Sequence, residues 1–361
     1  MWALRLRRLR RLPPPPHGRI RLLSASSPSS HLPSYTFGGL YSIDCVSTAD
    51  SASAMLQSIL SLLESNQLLL PTTTSSPQLK NISITYDSTL QRISNVLSSP
   101  TLLQRYNNQD KSAINKAVKE VLTRHSASGS TIEWLFEHSC ERLRMGERRE
   151  DFDIGFEEFI SGHYSLLLLC DHYSGLHGKF KRGAVRLVDG DVVELVNDVR
   201  DEMLFLAAVA FPDKVVEIEI QEEQPDHLPA FYMVPSAFRY VLMELVKNAV
   251  SKSLRVRITL ETDESSDLIV KVHDTGGGID PSIRHGMFEF GHLRGKQYDR
   301  LDVQTSYAAP PSDPLEGIGI GLSLSKILAK KYHGDLSIEN NDEGGATATF
   351  RVCTNGNVII I

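Results

Sequence analysis

The period of the apolar residues changes near Lys181, and a single layer of one kind of element cannot satisfy both patterns. From about 44 to 180 the apolar positions recur at helical spacing. Candidate helices are Ala54–Leu63, Thr89–Leu97, Lys111–Ser126, Thr131–Met145 and Phe156–His172, with a loop at Leu70–Pro77. Four or five such antiparallel helices predict a bundle. After Lys181, Val/Ile residues alternate with polar ones over Val215–Gln221, Arg255–Glu261, Leu268–His273, Asp335–Glu339 and Ala346–Val352. Helical patterns intervene at Val192–Phe211, Ser236–Ser253 and Gly321–Tyr332, the second with Ser236 as N-cap after Pro235. The predicted class is α+β, a helical bundle over 44–182 followed by an α/β layer over 183–356. The longest apolar run, Met203–Phe211, is about half the roughly 18 residues a membrane span needs, so it predicts a buried helix.

Charge is unevenly distributed. Residues 1–31 carry seven arginines and no acid, and the first acid is Asp44. An Arg-rich, Ser-rich, acid-free start is the composition of a mitochondrial transit peptide, and a basic tail for nucleic acid or anionic lipid is the plainer alternative. Residues 24–39, rich in Ser and Pro, read as a flexible lead-in. Taking those seven arginines from the 38 basic side chains leaves a net charge near −13 against 44 acids. A chain so acidic repels phosphate backbones, which argues against a general nucleic-acid binder. Cys45, Cys140, Cys170 and Cys353 show no CxxC spacing, which excludes a zinc ribbon or a thioredoxin-type site.

Three segments carry candidate chemistry. In Met243-Glu244-Leu245-Val246-Lys247-Asn248-Ala249, Glu244 and Asn248 are four apart and share one helix face, with Tyr240 a turn earlier. A carboxylate and an amide on a largely apolar helix need partners, such as magnesium or an activated nucleophile, because burying them alone costs several kcal/mol. A solvated face shared with Lys247 would explain them equally. In Asp274-Thr275-Gly276-Gly277-Gly278-Ile279 a strand delivers an Asp into a glycine loop. Such an Asp can accept a hydrogen bond from an exocyclic amine, or cap its own turn. Gly317-Ile318-Gly319-Ile320-Gly321-Leu322 opens a helix, where free N–H groups and the dipole attract anions. Its GxGxG spacing and the Pro-rich loop before it lack the context of a dinucleotide fingerprint.

Together and in this order, the segments resemble the N, G1 and G2 boxes of the GHKL ATPase superfamily of gyrase, heat-shock chaperone, histidine kinase and mismatch-repair ATPases. Gly344-Gly345-Ala346-Thr347 resembles its last Gly-Thr element. Within that superfamily, Glu244–Ala249 and Lys331-Tyr332-His333-Gly334-Asp335-Leu336 are most similar to the mitochondrial pyruvate and branched-chain 2-oxoacid dehydrogenase kinases. The resemblance is specific over about 180–352 and loose over 45–180. It implies a Bergerat-type α/β sandwich that binds ATP and Mg2+, in a serine kinase of the mitochondrial matrix. The implied target is the decarboxylase subunit of a 2-oxoacid dehydrogenase complex, with the lipoyl-bearing subunit as a further partner, and a homodimer is allowed. Glu244 is the implied general base and Asn248 the magnesium ligand. Asp274 holds the adenine amine, with Gly276 and Gly278 beneath the ring. Gly317, Gly319, Gly321 and Leu322 wrap the phosphates, Thr347 is on the phosphate side, and 284–316 is the lid.

The chain departs from that pattern at several places. Tyr240 stands where the pyruvate type has His, as in the branched-chain type, and cannot become a cation near neutral pH. Val250 and Ser251 replace the Met and Arg that follow Ala, with Lys252 nearby. The lid's Ser-Thr pair falls near Leu293-Arg294, and the C-terminal Asp-Trp and the Pro-Val-Arg motif are absent. Two alternatives stay open: an autophosphorylating histidine kinase, and an ATP-binding scaffold without catalysis. His163 and His172 lack the following acid the first needs, and retention of Glu244 and Asn248 argues against the second.

Overall fold

Among the described residues, amphipathic periodicity shapes the front half into five helices. They are α1 (Ala49–Leu69), α2 (Pro77–Leu97), α3 (Pro100–Asn107), α4 (Ser112–Ser126) and α5 (Glu150–Leu176). The computed structural model describes residues 35, 40, 48–70, 77–107, 110–126, 150–178, 182–188, 192–222, 230–289, 315 and 320–357. The expected transit peptide, the Thr131–Met145 helix, and Gly317 and Gly319 lie outside the described residues. Helix α1 starts at a reciprocal cap: Thr48 Oγ1 accepts from Ser51 N–H, and Ser51 Oγ accepts from Thr48 N–H, both at 3.1 Å. Its stripe of Ala52, Met55, Leu56, Ile59 and Leu63 is fully buried against α2 and α5. Helix α2 begins at Pro77, well before the expected Thr89, because proline is compatible with a first helical turn.

Polar side chains sit inside this bundle and satisfy one another. Asn66 Nδ2 donates to the Tyr86 hydroxyl at 3.4 Å, which lies 3.2 Å from His163 Nδ1; His125 Nε2 is 3.1 Å from Thr89 Oγ1. Burial lowers the pKa of His125 to about 3, helped by neighbouring His163 and Arg124, and that of His163 to about 4. An unfolded chain protonates histidine near pH 6.5, so this stability is complete above that pH and is lost as pH falls below it. The expected loss at about pH 5 is on the order of 2 kcal/mol per histidine. Thermal unfolding between about pH 7 and 5 checks this, and a flat melting temperature would contradict it.

The second half is built on strands: β1 (Arg186–Val188), α6 (Val192–Ala210), β2 (Glu217–Glu222), β3 (Phe231–Met233), α7 (Pro235–Val250), β4 (Arg255–Thr262), β5 (Leu268–Asp274), α8 (Gly321–Lys331), β6 (Asp335–Asn340) and β7 (Ala346–Val352). The sheet order is β2-β4-β5-β7-β6, with β2 and β4 parallel and the other pairs antiparallel; β1 and β3 form a separate pair. Period-two alternation assigns the faces. Val256, Ile258, Val270, Val272, Ala348 and Phe350 point to the layer formed by α6, α7 and α8. The other face carries charged pairs, including Arg257 with Glu343 at 2.6 Å and Arg351 with the buried Asp267 at 2.5 Å.

Two details correct the expectations. Val234 is the N-cap of α7 and Pro235 its first helical residue, because proline's fixed φ suits that position; Ser236 already lies inside the helix. The Met203–Phe211 run is helical up to Ala210 but not buried throughout. Met203 and Ala207 face the core, while Phe205 and Val209 are 68% and 58% exposed. One continuous apolar core joins the helices of the front half to the sheet and its helices.

Candidate functional site

Helix α7 packs Phe238, Val241, Leu242, Leu245 and Ala249 inward, which leaves Tyr240, Glu244 and Asn248 in a stripe on another side. Glu244 is not solvated with Lys247 on an open face. The two form a 2.5 Å ion pair with side chains only 16% and 19% exposed. Beside them stands Gly321, the first residue of α8, where a Cβ would collide with the Glu244 carboxylate. A side chain at 321 would displace that carboxylate, so glycine permits the close approach, which sets an acid against the positive end of a helix. Burial and the Glu244 charge both raise the Tyr240 pKa, so its phenol stays protonated. No hydrogen bond joins Tyr240 to Glu244 among the described residues; Lys247 takes that place.

Asp274 closes β5 on the helix-facing side of the sheet. Its Oδ1 accepts from the N–H groups of Gly276 at 2.8 Å and Ala346 at 3.3 Å, and the Asn341 amide donates to its carbonyl at 3.0 Å. Oδ2 takes no hydrogen bond among the described residues. The self-capping and the ligand-facing readings of this Asp thus hold together, one for each oxygen. Gly277 and Gly278 adopt φ of 89° and 72°, which L side chains rarely enter. Ser253 Oγ lies 3.0 Å from Thr275 Oγ1 and ties this loop to the end of α7.

These elements enclose a cavity of about 180 Å³. Asn248, Asp274, Gly278 and Leu322 line it, with an apolar floor from Leu245, Val272 and Ala348. Of the described sequence-predicted residues these four line the cavity, Glu244 and Gly321 meet each other without lining it, and two more stand apart. Gly276 does not line the cavity; it packs against Lys252. Thr347 is a correction. It pairs with His273 across the sheet, and its hydroxyl lies 2.8 Å from His273 Nδ1 on the opposite face, so Ala346 fills the cavity position instead. Of the expected lid, 290–314 and 316 lie outside the described residues. Its described first part, 284–289, buries Met287 and sets the Phe288 ring 5.3 Å from Lys326 Nζ.

A cavity with an apolar floor and a carboxylate oxygen that takes no hydrogen bond among the described residues suits a purine amine. The Asn248 side-chain amide is exposed and makes no hydrogen bond among the described residues, which fits a ligand to a hydrated magnesium ion. Sequence reasoning missed Asn341, whose side chain also accepts from Gly345 N–H at 2.9 Å and so holds the last glycine loop against Asp274. His163 and His172 are 3% and 0% exposed, which does not suit rings that accept phosphate from solvent.

Residues 233–355 match the family model described as histidine kinase-, DNA gyrase B- and HSP90-like ATPase. Curated relatives carry the name pyruvate dehydrogenase (acetyl-transferring) kinase, mitochondrial. The chain is 28% identical to one from Drosophila melanogaster over 44% of its own length and 40% of the relative's. It is 27% identical to isozyme 1 of Mus musculus over 54% and 48% respectively, and 22% identical to one from Ascaris suum over 81% and 75%. The chain spans about half the length, or less, of the Drosophila, Saccharomyces cerevisiae and Mus relatives.

Proposed function

From a chain that carries an ATPase domain of this kind over 233–355, we propose an ATP-dependent protein serine kinase of the mitochondrial matrix. Its proposed substrate is the decarboxylase subunit of a 2-oxoacid dehydrogenase complex, with pyruvate dehydrogenase first in view of the relatives' names. The observation that carries the reading is Glu244 fixed between Lys247 and the start of α8, on the helix whose next turn presents Asn248 to the cavity. Asp274 Oδ2 accepts from the adenine amine, and Gly278 and Leu322 hold the base and its sugar-phosphate end. The amides at the start of α8 meet phosphate oxygens. Asn248 would hold a magnesium ion that neutralises phosphate charge when bound. Glu244 takes the proton of the serine hydroxyl. The serine oxygen then bonds to the γ-phosphorus, the bond to the β–γ bridging oxygen breaks, and ADP departs with that electron pair.

The direct test is incubation with labelled ATP and purified pyruvate or branched-chain dehydrogenase complex. Acid-stable label on a serine of the decarboxylase subunit is expected. Acid-labile label on the protein itself, or nucleotide binding with no transfer, would overturn the proposal. Asn248→Ala should weaken nucleotide affinity about tenfold in the presence of magnesium, the scale of a lost metal-site contact, and little in its absence. Calorimetry with and without the metal measures the difference; equal affinities for the variant and the natural protein with magnesium would remove Asn248 from that role.

A further inference from the structure

Glu244 lies between two cavities that α7 lines with its two ends. The C-terminal half, through Leu245, Asn248 and Ala249, borders the nucleotide cavity. The N-terminal half, through Ser236, Ala237 and Tyr240, borders a larger one of about 420 Å³. That volume far exceeds a packing defect, since interiors hold few voids larger than a water molecule, and falls in the range of binding cavities. Its remaining walls come from α4, α5 and α8, notably Tyr164, Leu167 and Leu328. The wall is braced, because Lys331 at the end of α8 donates to Ser165 on α5. Helix α8 therefore touches both sites, beginning against Glu244 at Gly321 and reaching the second cavity at Leu328.

Phosphoryl transfer from ATP needs two reactants at one carboxylate, each held in place. Tyr240 is a helical turn from Glu244, with Cβ atoms about 5–6 Å apart, so a chain seated beside the phenol is within reach of the base. Asp171, exposed at the rim of the cavity, forms no ion pair among the described residues; desolvation raises its pKa, against the opposing charge of nearby Arg186. We propose that this second cavity seats the phosphoacceptor segment: a serine flanked by a bulky apolar side chain, held by Leu167 and Leu328, and by a cationic one facing Asp171. The assignment rests on the kinase reading above and adds to it what the acceptor must look like.

The experiment uses the full chain, purified pyruvate dehydrogenase complex, and a serine-centred peptide library with varied flanks, all with labelled ATP. Leu167→Trp fills the cavity and Asp171→Lys reverses its rim charge. Leu167→Trp should raise the KM for the acceptor by roughly tenfold or more, the scale of a misfitted apolar contact. The affinity for a non-hydrolysable ATP analogue should stay unchanged, which also shows that the variant is folded. Asp171→Lys should erase the preference for cationic flanks and leave the apolar preference. If the natural protein phosphorylates acceptors and both variants match it in KM and preference, the acceptor lies elsewhere and the kinase reading stands. If the natural protein transfers no label, that reading falls and this assignment falls with it.

Discussion

Glu244→Gln is expected to cut phosphoryl transfer by about 10²–10⁴-fold, the contribution of a positioned general base, while ATP still binds. Glutamine keeps the length of the side chain and its fit against Gly321. It loses the capacity to take a proton and the charge that Lys247 pairs with at 2.5 Å. Lys247 is 19% exposed and can turn toward solvent, so a moderate fall in melting temperature accompanies the change. The measurement is kcat for transfer beside the dissociation constant for a non-hydrolysable analogue. A variant that keeps a tenth of the natural rate and the same affinity would exclude Glu244 as the base.

The second large effect is expected at Asp274. Asp274→Ala removes the acceptor for the Gly276 and Ala346 N–H groups and frees the loop that shapes the cavity. Hydrogen bonds to a charged group contribute about 1.5–3 kcal/mol each, so nucleotide affinity should fall roughly 100-fold when both are lost. Asp274→Asn separates the two duties of the carboxylate. An amide oxygen in place of Oδ1 keeps the loop, while an N–H₂ in place of Oδ2 faces the adenine amine donor to donor. That variant should lose ATP affinity yet close much of the gap for GTP, whose ring offers a carbonyl at the same place. Calorimetry with both nucleotides decides it, and unchanged ATP affinity in Asp274→Asn would show that the purine amine is not read there.

How much of this was legible in the sequence depends on the range over which each feature is determined. Strand β7 has the predicted bounds, Ala346–Val352, because alternation and glycine punctuation are local signals. The meeting of Asn248, Asp274 and Leu322 followed from a resemblance of ordered segments, and the cavity gathers them. Thr347 failed for a reason of register. Which residue of a strand faces the helices depends on its pairing, and a shift of one position sends the hydroxyl to His273. Strands β1 and β3, three residues each, are too short to display any period. The half-burial of Lys247 with Glu244 arises from α8 closing over them, which no window of α7 contains. Phe205 and Val209 show the converse, since apolar residues on both faces of α6 do not distinguish a covered side from an open one.

Gly321 has one more consequence, and it concerns the order in which such a protein can decay. While an acid occupies 244, any side chain at 321 must push its carboxylate from the place beside Lys247. Loss of the acid at 244 frees 321 to drift, whereas a side chain gained first at 321 would itself cost the acid its place. A descendant with a bulky residue at 321 would therefore carry a mark of its retirement, legible without any assay.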